Sequence, residues 1–110
     1  MKLPNGELAV IDDAKLIDYC LSATHLRGRH KARLFAAALG LTQMHADELK
    51  AALLAVARDL DCSASRRNPF GMLYEIVFEC EGPLGKAWVL SVWIIQDDEL
   101  FPRLVTCYPI

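Results

Sequence analysis

The chain has 110 residues, 54% of them apolar and 24% charged, with a formal net charge of -2. That length suits one domain whose core buries about two thirds of the surface of the unfolded chain, and the apolar fraction excludes general disorder. With a pI near 5.9, the chain is not a protein that coats nucleic acid through bulk charge, so any polyanion has to meet a local patch.

Residues 1–110 read as a single domain, helical over 1–60 and sheet over 61–110. The opening Met1–Gly6 has neither the basic start nor the apolar run of a signal peptide, and no window approaches the roughly 20 apolar residues that span a bilayer. Cys20, Cys62, Cys80 and Cys107 lie far apart, form no CxxC pair and sit in apolar runs, where a thiol acts as a small hydrophobe. The expectation is a cytoplasmic protein with reduced cysteines, no membrane contact, no cofactor and no metal, since no histidine pair has ligand spacing.

Asp12 or Asp13 can cap a short helix with Leu16, Ile17, Cys20 and Leu21 as its apolar face, closed by Ser22-Ala23-Thr24. A second helix runs from Gly28 or Arg29 to Gly40, which suits the left-handed position after a helix, with Ala32, Phe35, Ala36 and Leu39 inward. Thr42 caps a third, whose first turn holds Asp47 and Glu48 and whose apolar face is Leu49, Leu53, Val56, Ala57 and Leu60; His45 is expected in solvent.

From Asp61 the period falls to two. Residues 62–67 read as an edge strand and Asn68-Pro69-Phe70-Gly71 as a turn. Met72, Tyr74, Ile76, Phe78 and Cys80 then alternate with Leu73, Glu75, Val77 and Glu79 up to a Gly82-Pro83-Leu84-Gly85 turn. Lys86 to Gln96 is apolar on both faces, and Arg103 to Tyr108 is a last strand between Pro102 and Pro109. Short connections favour antiparallel neighbours, so the fold class is α+β: three N-terminal helices packed on a C-terminal antiparallel sheet of three or four strands in a meander.

One segment is built like an anion site. His25-Leu26-Arg27-Gly28-Arg29-His30-Lys31-Ala32-Arg33 crowds four fixed cations and two histidines around the start of the second helix, where unpaired N–H groups and the dipole also favour negative charge. His30 suits general acid or base work, and Lys31 and Arg33 suit charge stabilisation. Arg27, Gly28 and Arg29 would hold phosphate. The bland alternative is a solvated face in which Arg29 and Arg33 pair with Asp13 or Asp18 and Lys31 lies along the core edge. On the sheet, Tyr74, Trp93, Thr106 and Tyr108 are candidates to line a groove facing this helix end, with Thr106 holding a scissile phosphate. Tyr74 and Trp93 fit a core role at least as well. Arg66, Arg67 and Arg103 either extend a positive surface or protect edge strands.

Lys2–Gly6, Lys15–Tyr19 with His25, Gly28–Phe35, Leu39-Gly40, the Tyr74 strand, Val92-Trp93 and Pro102–Pro109 together resemble a bacterial domain family of unknown function, found as short stand-alone proteins and as C-terminal parts of polymorphic toxins. The toxin setting and the helices-then-sheet order are in turn similar to the barnase-like, EndoU-like and RelE-like ribonuclease group. That likeness implies RNA as partner and metal-independent cleavage, in which His30, Lys31, Arg33 and Thr106 act on the phosphate, Arg27, Gly28, Arg29, Arg66, Arg67, Tyr74 and Arg103 bind the strand, and no metal takes part. It leaves open whether the chain is an enzyme. The alternative is a non-catalytic interaction module of a two-gene pair, whose doubly apolar strand is covered by a homodimer or by a small partner from a neighbouring gene.

Overall fold

The computed structural model describes all residues from Met1 to Ile110, and its two halves follow the change of period near Asp61. Three helices precede four strands: α1 (Asp13–Lys15), α2 (Arg29–Leu39), α3 (Ala46–Asp59), then β1 (Ser63–Asn68), β2 (Gly71–Gly82), β3 (Gly85–Gln96) and β4 (Arg103–Pro109). The strands form one antiparallel sheet in the order β1-β2-β3-β4, a meander.

Local chemistry explains each helix end. The Asp12 carboxylate caps α1 by accepting from the Ala14 N–H at 3.0 Å. The next turn, Leu16–Cys20, widens to a π turn that buries Leu16 and Cys20. Gly40 closes α2 at φ 71°, and the Gly40 and Leu41 N–H groups return to the Ala36 and Phe35 carbonyls. Thr42 starts a short 3-10 turn, Gln43–His45, instead of α3 itself. His45 is therefore half-buried and not in solvent: its Nδ1 accepts from the Thr42 N–H at 3.0 Å. Three expected core positions also lie outside, Ile17 of the first helical face, 41% exposed, among them. Ala36 is exposed, and Leu60, just past the end of α3, is 40% exposed.

The helices cover one face of the sheet. Phe35, Leu39, Leu49 and Leu53 meet Ile76, Phe78, Val89, Trp93 and Leu104 in a single cluster of 21 buried residues. Trp93 is wholly buried; its indole N–H donates to Ser91 Oγ at 3.0 Å, and that hydroxyl donates to the Ile76 carbonyl at 2.9 Å. Tyr74 packs at the edge of the same cluster. By strand alternation, Leu73, Glu75, Val77 and Glu79 of β2 project from the opposite face. No helix is long and apolar enough to cross a membrane.

Gly28 decides how closely α2 meets the π turn. A Cβ there would lie 2.0 Å from the Tyr19 carbonyl oxygen, so only glycine allows the approach that brings Lys31 to Tyr19.

Candidate functional site

The open face of the sheet holds a groove of about 550 Å³ lined by Ser65, Arg66, Asn68, Leu73, Glu75, Val92, Val105, Thr106 and Tyr108. Register explains its make-up. Ser63, Glu75, Val92 and Thr106 form one cross-strand row, because Ser63 opposes Glu75, Glu75 opposes Val92, and Val92 opposes Thr106. Both edge strands then break register. Ala64 and Arg67 of β1 oppose Tyr74 and Met72, so Ser65 and Arg66 together face Leu73. Thr106 and Leu104 oppose Val92 and Trp93, so Val105 is an extra residue in β4. Such bulges bend a strand and re-aim its side chains; here neighbours that strict alternation would send to opposite faces both line the groove.

The floor is apolar, from Leu73, Val92 and Val105, and the polar groups are few: the Arg66 guanidinium, the Glu75 carboxylate, the Thr106 hydroxyl and the Tyr108 phenol. Lys31 reaches the Tyr108 end from α2. Its ammonium lies 5.5 Å from the Tyr108 ring centroid and 4.9 Å from that of Tyr19, and donates to Tyr19 Oη at 2.9 Å.

The rest of the basic segment is arranged differently. His25 Nδ1 accepts from the Arg27 and Gly28 N–H groups, each at 3.0 Å, and the His25 carbonyl accepts from the Arg29 N–H at 2.9 Å. Three donors that the sequence reserves for phosphate are thus taken up by one histidine, whose ring also stands edge-on to Tyr19 with centroids 5.0 Å apart. Arg27, Arg29, His30 and Arg33 are exposed. The acids proposed to hold them do not: Asp13 pairs with Lys50 at 2.8 Å. Arg33 borders a second, apolar groove of about 300 Å³ between α2 and the Leu41–Met44 segment, and His30 lines neither groove. Arg67 pairs with Asp97, and Arg103 is held in a two-pronged pair with Glu99, both contacts at 2.7 Å. Arg66 makes no salt bridge.

Behind Thr106 lies a thiol cluster. Cys20 Sγ is 3.9 Å from Thr106 Oγ1, and both Cys20 and Cys107 are fully buried. Hydrogen bonding from the Cys107 thiol outweighs burial and, with the Cys107 backbone, the Thr106 hydroxyl and the charge of Lys31, lowers the Cys20 pKa to about 7. The same bond to Cys20, together with burial, pushes the Cys107 thiol well above its ordinary value. Burial alone raises Cys80.

Residues 2–110 match a single family, the domain of unknown function DUF6883. The chain belongs to that family. No curated protein and no solved structure matches it. The match covers nearly the whole domain and carries no assigned activity, so the functional reading has to come from the site.

Of the residues singled out by sequence, Arg66, Thr106 and Tyr108 line the sheet groove and Lys31 stands against its end, whereas His30, Arg33, Arg67 and Arg103 lie elsewhere or are paired. Tyr74 belongs to the covered face. Glu75 and Ser65 were missed. The available signal was Glu75 itself, a charge in the middle of a strand whose neighbours are apolar; nothing in the sequence marks the bulges.

Proposed function

We propose that the domain binds single-stranded RNA in the sheet groove and cleaves it without a metal. The observation that carries this reading is the open-face row in which Glu75 stands between the β1 bulge, where Arg66 lines the groove, and Thr106 of β4, which lies across Val92 in the same row. In this reaction the Glu75 carboxylate takes the proton of a 2′-hydroxyl as that oxygen attacks the adjacent phosphate, the Arg66 guanidinium stabilises the added negative charge, and the Thr106 hydroxyl holds a non-bridging oxygen. The Tyr108 phenol protonates the departing 5′-oxygen, and its ring, backed by Lys31, offers a face for a base. Arg29 and His30, exposed on the helix that delivers Lys31, and Arg27, exposed in the turn before it, meet phosphates beyond the groove.

The test is a labelled single-stranded RNA incubated with the protein in excess chelator. The expected products carry 2′,3′-cyclic phosphate ends, and binding weakens steeply as salt rises, because each phosphate contact releases counterions. Binding that is undetectable or indifferent to salt overturns the reading.

A second reading rests on Trp88 and Val77, 56% and 49% exposed on strand positions that share the open face. In it the face is covered by a second copy or a small protein partner. A solution mass above that of the monomer, with no RNA binding, favours it.

A further inference from the structure

Charge is sorted along this chain. Between Asp18 and Asp47 stands none of its 14 acids, yet four of its 12 fixed cations, Arg27, Arg29, Lys31 and Arg33, fall there. Lys31 is turned onto Tyr19; Arg27, Arg29 and Arg33 are exposed and make no salt bridge. Arg29 and Arg33 lie one turn apart on α2, where like charges repel, so this face gains from an anion that the chain itself does not supply. The groove between α2 and the Leu41–Met44 segment opens beside Arg33, and every residue lining it belongs to the acid-free stretch. Its buried residues are Leu21, Ala32 and Leu41, its exposed ones include Ala36 and Met44, and Arg33 is its one charged group. The neighbouring polar donors are engaged within the chain: the Gln43 side-chain amide donates to the Ile17 carbonyl, and the Thr42 N–H to the His45 ring. Met44, 91% exposed, leaves an adaptable apolar side chain in solvent at the rim.

We propose that this groove binds a fatty carboxylate, a monoanion with an unbranched apolar tail, its head on Arg33 and its tail against Leu21, Ala32, Ala36, Leu41 and Met44. A guanidinium takes a carboxylate in a two-pronged pair. The cleft of about 300 Å³ stands at the small end of ligand sites and has room for one alkyl chain. Alanines at 32 and 36 leave that space, because a longer side chain at either position would fill it. One cation over an apolar floor matches one charge on the ligand; a nucleotide or polyphosphate would lay its further charges on apolar side chains. The site shares no residue with the sheet groove, so it stands whether or not RNA binds there.

The experiment titrates the isotope-labelled full chain with sodium hexanoate, octanoate, decanoate and dodecanoate, each below its micelle concentration, and follows the backbone amides by NMR, with decanol as the uncharged control. The expected result is saturable shifts at residues 32–36 and 41–44, with an affinity that rises about two- to fourfold per methylene until the groove is full. Arg33→Gln, at an exposed position, should weaken decanoate about three- to tenfold and leave decanol unchanged. Ala36→Phe, also at an exposed position, fills the cleft and should abolish binding of both. Decanol binding as tightly as decanoate overturns the proposal, as does an affinity indifferent to tail length. So do shifts confined to the sheet groove, or none at all. Shifts of the same amides with protein concentration, and none with decanoate, give the groove to a second copy and overturn it as well.

Discussion

The start of α2 and the sheet groove concentrate polar chemistry in opposite ways. At the helix start the cations are adjacent in sequence, yet a helix turns successive residues about 100° apart, so Arg27, Arg29, His30 and Arg33 face solvent separately while Lys31 turns inward onto Tyr19 and Tyr108. In the groove Arg66, Glu75, Thr106 and Tyr108 come from three strands and meet because the register places them in neighbouring rows. Crowding along a chain is therefore weaker evidence for a site than convergence across a sheet.

The sharpest way to break this comparison is a pair of variants in the RNA cleavage assay. Glu75→Gln should lower the rate by about 10² to 10⁴-fold, the usual contribution of a positioned base, whereas His30→Ala should change it by less than about threefold. The reverse order would return the chemistry to the helix. The next largest effect is structural. Gly28→Ala forces a Cβ into the Tyr19 carbonyl and should cost about 2 to 4 kcal/mol in urea unfolding, against less than about 0.5 kcal/mol for Arg27→Ala in the same turn.

Smaller effects sharpen the contrast between free and paired arginines. Arg66→Ala should weaken RNA binding by about three- to tenfold and reduce the salt slope by about one; Arg103→Ala, which removes a cation already neutralised by Glu99, should weaken it less than twofold. The smallest is a dependence of stability on pH. The folded Cys20 pKa, about 7, lies below its ordinary value of 9.0, so its contribution is complete above pH 9 and is lost as pH falls through 7. Cys107, shifted upward, acts in the opposite sense above pH 9. Urea unfolding should show stability rising from pH 7 toward 9 in the native chain, and Cys20→Ser should flatten that rise.

Much of the fold is legible in the sequence because hydrophobic period reports which side of an element is covered. The alternation from Met72 to Cys80, the turns at Asn68–Gly71 and Gly82–Gly85, and Gly40 after α2 all mark elements that form as read. Local exceptions have local causes: His45 is drawn in by the Thr42 N–H, and Leu60 lies past the last turn of α3 in extended backbone. The candidate site was legible only in part. Thr106, Tyr108 and Arg66 stand out as residue types able to bind phosphate, but their partner Glu75 reads as one more outward residue of an amphipathic strand.

By itself the sequence determined the α+β class, the order of helices before a meander, and the burial of all four cysteines, since each follows from periods, turn residues and apolar runs within a few neighbours. Only the tertiary structure decided where polar groups converge. A bulge shifts register by one residue and reverses which side chains share a face, and the meeting of Lys31 with both Tyr19 and Tyr108 depends on α2 and a π turn docking against a distant strand; neither leaves a trace at short range in the chain.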